Sequence, residues 1–444
     1  MKITIHRGTN EIGGSCVELS SGNTRILVDF GMPLVGKGGT DFNERELEGK
    51  TIPQIINEKI LYPIEGLYKN QKPQFDAVLI SHSHKDHYGF LKYVHPEIPI
   101  YINEGAKKLI DVLSIFTKEK FKIEKFKPLL HRETFLIGSD FIIKPYLVDH
   151  SGFGAMSFLI VDKKSDKRVF YSGDFRSTGR KGYLFEQFLK NPPRNVDCLL
   201  MEGTMIGRED GKYSTEESVC SEITDIVKST DKKTVFVFAS GQNIDRICSL
   251  YIAARETNSL LVIDSYTACV LHSIKDISKS IPQFSWRNIR IFIENYYGKG
   301  DIFVAKLKNT EYKYLIKEFG RRKIMALEIG NENQKSIILM RNSMIPAIEK
   351  IPNIKDSTVI YSQWKGYVEK KNETAETFKK FIKTNNLKIK FVHTSGHAVV
   401  EDLKRFENAI KPKRTIPIHT FHKEEYKNIF PNVLELEDGV SHTV

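Results

Sequence analysis

The chain has 444 residues, 40% hydrophobic, 27% charged and 11% aromatic, a composition that excludes a disordered or low-complexity protein. Its length is well past the point where a single core stops growing, which predicts two domains or one domain carrying an insertion. A formal charge of +12 and a pI near 9.1 favour a polyanionic partner, nucleic acid foremost, and no apolar run approaches the roughly 18 to 20 residues that span a bilayer.

Met1 to His6 enters a strand pattern directly, without a signal-peptide h-region, so a cytoplasmic protein without membrane contact is expected. Cys16, Cys198, Cys220, Cys248 and Cys269 are odd in number and scattered, and read as small buried hydrophobes in a reducing compartment. The first 200 residues alternate short β-rich segments with Gly-containing turns: 3–5, 25–29, 77–80, 141–143 and 168–171.

From about Ser214 the grammar changes. Ser214-x-x-Glu217 predicts a capping box opening a helix with Val219, Cys220, Ile223 and Ile226 on one face. A buried-type strand at 234–239, a polar Ser240-Gly241-Gln242-Asn243 loop and a helix from Ile244 to Arg255 follow, and 260–263 repeats the unit. Strands alternating with helices predict a parallel α/β sheet. A strand-rich, histidine-bearing pattern returns at 361, giving a β-rich unit over 1–205 and 361–444 with an α/β module inserted at 206–360.

The chemistry-bearing residues begin where the apolar strand 77–80 ends, at Ser81-His82-Ser83-His84-Lys85-Asp86-His87. In an extended segment positions i and i+2 share a face, so His82 and His84 can grip one ion. Asp86 and His87, past the bend, can turn to a second.

This H-x-H-x-D-H loop after an apolar strand resembles the metallo-β-lactamase superfamily. The resemblance implies an αββα sandwich and two zinc ions per chain, one held by His82, His84 and His150 of Asp149-His150-Ser151-Gly152, the other by Asp86, His87 and a later histidine. Asp174 in Tyr171-Ser172-Gly173-Asp174-Phe175 takes the bridging place, and Asp29, closing Arg25 to Val28, takes that of the aspartate that orients the histidine loop.

Three further segments resemble the β-CASP nucleases of that superfamily. Glu202 in Leu199-Leu200-Met201-Glu202-Gly203-Thr204 matches motif A, His397 in Thr394-Ser395-Gly396-His397-Ala398 motif B, and His419 in Ile416-Pro417-Ile418-His419-Thr420 motif C. The α/β insertion inferred from periodicity lies between motifs A and B, where the family places its β-CASP domain. The resemblance implies a ribonuclease in which a two-metal-activated water attacks a phosphodiester, Asp86 and the other ligands hold the metals, His397 assists the leaving oxygen, and Glu202 orients a histidine. RNA-processing members usually carry histidine at motif C and Artemis-type DNA nucleases usually valine, so His419 points to RNA, and a single strand is the expected partner. A DNA nuclease and a small-molecule metallo-hydrolase are the rival readings.

Phe238 to Arg246 resembles the strand, loop and helix that J-type ribonucleases set near the RNA backbone, with Ser240, Asn243 and Arg246 as phosphate-binding candidates. Basic segments with aromatics at 116–132 and 296–323 are candidate nucleic-acid surfaces. The chain departs from J-type enzymes at Tyr361-Ser362-Gln363-Trp364-Lys365-Gly366-Tyr367, where those carry a glycine-rich loop, and only about 25 residues follow His419. Monomer and homodimer both stay open.

Overall fold

The computed structural model describes all residues except 37–38, 118–120, 209–213, 295–300 and 332, and the side chains of 330 and 331. Three sheets organise them. The first runs Ser441–Thr443, Lys2–Arg7, Cys16–Ser21, Thr24–Val28, Ala77–Ile80, Ile100–Ile102, Phe126–Pro128. The second runs Arg414–Ile418, Cys198–Glu202, Arg168–Tyr171, Met156–Asp162, Phe141–Leu147, Phe135–Ile137.

Period-2 patterning decides how these two sheets meet. Ile3, Ile5, Val17 and Leu79 of the first face Phe141, Phe158, Val169 and Ile416 of the second across one dry core. Each such side chain contributes about 1.5–3 kcal/mol on burial. The outer faces are also apolar: Ile52, Ile55, Leu109 and Ile110 lie on helices outside the first sheet or at its border with the inserted module, and Phe185, Phe188 and Phe406 on helices outside the second. Ala77–Ile80 is therefore buried on both faces, which explains an unbroken Ala-Val-Leu-Ile run without alternation. The layers are helix, sheet, sheet, helix, as expected for the metallo-β-lactamase sandwich.

The third sheet has seven strands, in the order Lys323–Ile324, Ile289–Phe292, Leu260–Asp264, Ser336–Met340, Thr234–Phe238, Thr358–Tyr361, Lys388–Phe391, and all its pairings are parallel. Cores cover both of its faces, as a parallel sheet requires. This is the inserted α/β module, and it ends later than the sequence predicts. Thr358–Tyr361 pairs with Thr234–Phe238, and Lys388–Phe391 pairs with Thr358–Tyr361, so the chain returns to the sandwich only after Phe391, and not at 361. The physical reason is that Lys388–Phe391 is an exposed, lysine-bearing edge strand with no apolar signature of its own.

Two smaller corrections concern one helix. The helix expected from Ser214 is Glu216–Ser229 with Thr215 as N-cap, its side chain accepting from Ser218 N–H. Val219, Cys220 and Ile223 are buried on it, while Ile226 is only partly so. All five cysteines are free thiols. Among the described residues no helix is long and apolar enough to cross a membrane.

Candidate metal centre

Strand register gathers the candidate ligands at one edge of the sandwich. Val28 pairs in parallel with Leu79, so Asp29 and the Ser81–His87 loop leave the first sheet side by side. On the second sheet Tyr171 pairs with Leu200 and Glu202 with Ile418, which brings Asp174, Glu202 and His419 to the same edge. Gly31 permits a close crossing there: a Cβ on it would lie 1.6 Å from the Asp86 carbonyl oxygen. Asp29 and His419 both take a left-handed backbone, with φ of 57° and 54°. That conformation is tolerated by few non-glycine residues and aims each side chain inward from its strand end.

His82, His84 and His150 form one cluster and Asp86, His87, Asp174 and His419 a second. In the first, His84 Nδ1 lies 3.1 Å from His82 Nε2 and 3.2 Å from His150 Nε2. Those separations match the edge of a tetrahedron around zinc, about 3.3 Å for Zn–N bonds of about 2.0 Å. In the second, Asp174 Oδ2 lies 3.2 Å from His87 Nε2 and 3.7 Å from both His419 Nε2 and His82 Nε2, so one carboxylate oxygen faces both clusters. His87 Nε2, His419 Nε2 and Asp174 Oδ1 are buried with no hydrogen-bond partner. Buried orphans of this kind carry a desolvation penalty unless a cation receives their lone pairs. The donor set, imidazoles and carboxylates without thiolate, fits two such cations.

Partners behind the ring nitrogens decide which atoms are free to coordinate. Asp29 is fully buried; its Oδ1 accepts Ser81 N–H at 2.7 Å, and its Oδ2 accepts Ser81 Oγ–H, His87 Nδ1–H and the Tyr171 hydroxyl, each at 2.7 Å. Ser81 Oγ in turn lies 3.0 Å from His82 Nδ1. His150 Nδ1–H donates to the Gly396 carbonyl at 2.5 Å. The Nδ1 atoms of His82, His87 and His150 are thus engaged and their Nε2 atoms turn inward; against its burial, the Asp174, Asp86 and Asp29 carboxylates raise the pKa of His87. His419 is less well fixed: Ser15 Oγ, 3.0 Å away, can take its Nδ1 proton, but Gly13 N–H also points at Nδ1 from 3.2 Å.

Charge follows the same plan. Burial above all holds the pKa values of His82, His84, His150 and His419 below the ordinary range, the neutral form that coordinates. Against its burial, Asp174 is held well below the carboxylate range by the imidazoles of His419, His87 and His397. His397 is 22% exposed, partly buried as His84 and Asp86 are. Its Nδ1–H faces Glu202 at 3.2 Å, and although burial opposes its charge, the Glu202 and Asp174 carboxylates raise its pKa. Glu202 is anchored by N–H groups of Phe175, Thr204 and Ala398.

Of the phosphate candidates, Arg246 is overturned. It is fully buried, its Nε 2.8 Å from Glu216 Oε1, and it donates to the Ser362 carbonyl and hydroxyl. The guanidinium locks the helix 216–229 to the strand end at Ser362 and presents nothing to a ligand. The 3.6-residue period, which puts Arg246 on the inward face with Ile247 and Leu250, was the available signal. Asn243 is the N-cap, its side chain accepting Arg246 N–H at 3.1 Å, and Ser240 Oγ accepts Gln242 N–H, so both complete a helix start.

The sequence also misses a keystone. Arg176, 1% exposed, pairs with Asp149 at 3.5 Å and Asp245 at 2.7 Å and donates to the Ser395 carbonyl. It ties the loops of His150, Asp174 and His397 to the inserted module. His393 stays outside the clusters, its pKa held down to about 3 by burial and then by Arg246. In the basic segments, Lys118, Lys120, Tyr296 and Lys299 lie outside the described residues, and Tyr312 is buried in the inserted module's core.

Comparison with known proteins agrees with this geometry. Residues 51–235 match the beta-lactamase superfamily domain, and 385–424 match a Zn-dependent metallo-hydrolase RNA specificity domain, a stretch that includes His397 and His419. Transcription termination factor FttA of Methanothermobacter thermautotrophicus is 27% identical over 54% of this chain, a match spanning 38% of its own length. Ribonuclease J of Mycoplasma pneumoniae is 23% identical over 95% of this chain and 68% of its own. A crystal structure of a protein of unknown function from Enterococcus faecalis V583 superposes with a TM-score of 0.78 at 19% identity, covering 100% of this chain and 99% of that one. With the His82–His87 loop, Asp174, Glu202, His397 and His419 all converging on one edge, the chain belongs to the metallo-β-lactamase superfamily, in its β-CASP, ribonuclease J-like branch.

Proposed function

We propose that the chain is a zinc-dependent ribonuclease that hydrolyses phosphodiester bonds of single-stranded RNA. The observation that carries this reading is the pair of donor clusters sharing Asp174, with the protonatable His397 beside them. His82, His84 and His150 would hold one ion and Asp86, His87 and His419 another, with Asp174 between; bound there, two zinc ions lower the pKa of an attacking water and neutralise charge on the phosphate.

The protein's own groups do the rest. Asp29 fixes the His87 tautomer by accepting a hydrogen bond from Nδ1–H, which turns Nε2 toward the donor cluster. Glu202 holds His397 Nδ1–H, which leaves Nε2 to carry a proton toward the leaving oxygen. The outcome is a 5′ phosphate and a 3′ hydroxyl. Support for RNA comes from His419 and from the RNA specificity domain that 385–424 match. The test incubates zinc-loaded protein with one RNA, 5′-labelled and bearing triphosphate, monophosphate or hydroxyl ends, beside DNA of the same sequence. RNA cleavage to 5′-phosphate products is expected; cleavage of DNA alone would replace this reading by a DNA nuclease. Mononucleotide release would mark 5′→3′ exonuclease action, discrete fragments endonuclease action.

A further inference from the structure

We infer that the open edge of the inserted sheet, at the carboxyl ends of Thr358–Tyr361 and Lys388–Phe391, is a platform that holds the single-stranded flank of an RNA beside the metal centre, whatever its base sequence. This rests on the reading of RNA as substrate. Tyr361 pairs with Phe391, so the loops that follow the two strands leave the sheet side by side, and the Ser362 hydroxyl ties them by donating to the Val392 carbonyl at 2.6 Å. One loop carries Trp364 and Tyr367, in the stretch where J-type enzymes have a glycine-rich loop; the other runs on to His397.

Three aromatic rings stand out of the surface here: Trp364, Tyr367 and Phe391 are 43%, 49% and 46% exposed. Each has a cation set on it. The Arg208 guanidinium lies 4.8 Å from the centre of the Trp364 ring, Lys370 Nζ 5.3 Å from that of Tyr367, and Lys365 Nζ 5.6 Å from that of Phe391. Lys365 also pairs with Glu369 and Lys370 with Asp41, which holds the ammonium groups in place. Gly366 permits the Trp364 position, since a Cβ on it would come within 2.4 Å of that ring.

Charge points to the same occupant. Residues 361–391 hold eight lysines against three glutamates, with neither aspartate nor arginine. Lys388 and Lys390 are exposed on the edge strand, about 6.6 Å apart at the rise of an extended chain, a spacing that successive phosphates of a stretched single strand can follow. Edge lysines alone would be explained as a guard against strand pairing. Exposed rings at the same edge would not, because they enlarge the apolar surface that such a guard protects. Rings for bases and cations for phosphates are the two halves of a sequence-tolerant single-strand site, and the like charge of two such edges disfavours a second copy of the chain.

The platform reaches the metal centre through Arg208. Its Nη1 lies 3.9 Å from Met205 Sδ, Met205 Sδ lies 3.4 Å from Ser395 Oγ, and Ser395 Oγ accepts the His397 N–H at 3.0 Å. Gly207, the residue before Arg208, packs on the loop of His419: a Cβ on it would lie 2.4 Å from the His422 ring. An RNA with its scissile phosphate at His397 can thus lay flanking nucleotides along Arg208, Trp364 and the edge strand.

The test uses full-length Trp286→Phe protein, in which Trp364 is the one remaining tryptophan, titrated with uncleavable 2′-O-methyl oligonucleotides of adenine or of uracil and with an abasic oligomer of equal length and charge. Both base-bearing oligomers are expected to quench Trp364 and to bind about tenfold more tightly than the abasic one, the scale of one base–aromatic stack. By fluorescence anisotropy of a labelled oligomer in the otherwise unaltered chain, Trp364→Ala should lose most of that advantage and Trp364→Phe keep it. Lys388→Gln with Lys390→Gln should reduce the slope of log affinity against log salt by about 1.4, the loss of two phosphate contacts on a single strand. Equal affinity for adenine and abasic oligomers, an unquenched Trp364 or an unchanged salt slope overturns the platform. So does a Trp364→Ala protein that binds RNA as the parent does but sediments differently, which would make the edge a contact between copies. RNA cleavage measured on the same preparation judges the ribonuclease reading separately: base-dependent binding without cleavage sinks that reading alone, and cleavage without base dependence sinks the platform alone.

Discussion

Replacing Asp29 by asparagine removes one negative charge and almost no volume, so it isolates how the histidine loop is oriented. The carboxylate receives four donors at 2.7 Å, three on Oδ2 and the Ser81 N–H on Oδ1. An asparagine amide has one accepting and one donating end. With its oxygen in place of Oδ2 it keeps three bonds and sets its NH2 against the Ser81 N–H; reversed, its NH2 meets three donors. The first orientation prevails, and one buried donor clash costs about 1–3 kcal/mol of stability. His87 Nδ1–H then faces a neutral acceptor, its Nε2 becomes a poorer donor, and zinc affinity at the cluster of Asp86, His87 and His419 falls about 10–100-fold. Calorimetric titration of metal-free protein with Zn2+ measures the second number and urea unfolding the first. Wild-type zinc affinity in a variant that has lost stability would refute the claim that Asp29 sets the His87 tautomer.

Three other outcomes are expected. Asp86→Ala combined with His87→Ala should reduce bound zinc from two ions to one per chain by elemental analysis and abolish RNA cleavage; a double variant that still cleaves removes these residues from the mechanism. Glu202→Gln should lower the pKa of His397, because the carboxylate 3.2 Å from Nδ1 raises it. In the proposed mechanism the protonated imidazole is the active form, so the alkaline limb of the kcat–pH profile moves to lower pH; an unmoved limb argues against His397 as the acid. By linkage the same pair stabilises the fold below the ordinary imidazole pKa, and that contribution fades as pH rises through the raised value. Arg246→Met alone strands the buried Glu216 charge and should cost about 3–5 kcal/mol in urea unfolding, whereas Arg246→Met with Glu216→Leu recovers most of it and binds RNA as the parent does. Weaker RNA binding by that recovered double variant would restore Arg246 to the phosphate site.

Much of the centre was legible in the chain because the candidate ligands sit where strands stop. Ala77–Ile80, Phe141–Leu147, Arg168–Tyr171 and Arg414–Ile418 carry local apolar patterns, and His82, His150, Asp174 and His419 follow their ends. The inserted module was legible for the same reason: strand and helix periods are properties of a few consecutive residues. Its far boundary was not, because Lys388–Phe391 belongs to the module only by pairing with Thr358–Tyr361, and a pairing partner leaves no mark on an exposed edge strand.

Burial decided the remainder. Arg246 and Arg176 look alike on paper, as cations near chemistry, and both are interior struts whose carboxylate partners, Glu216 for one and Asp149 and Asp245 for the other, come from distant positions. Local sequence thus determined which residue types stand at the strand ends and which ions they suit. Only the tertiary structure decided that His419 reaches Asp86 and that Asp29 gathers Ser81, His87 and Tyr171, because closure of long loops and desolvation of charge depend on contacts between residues far apart in the chain.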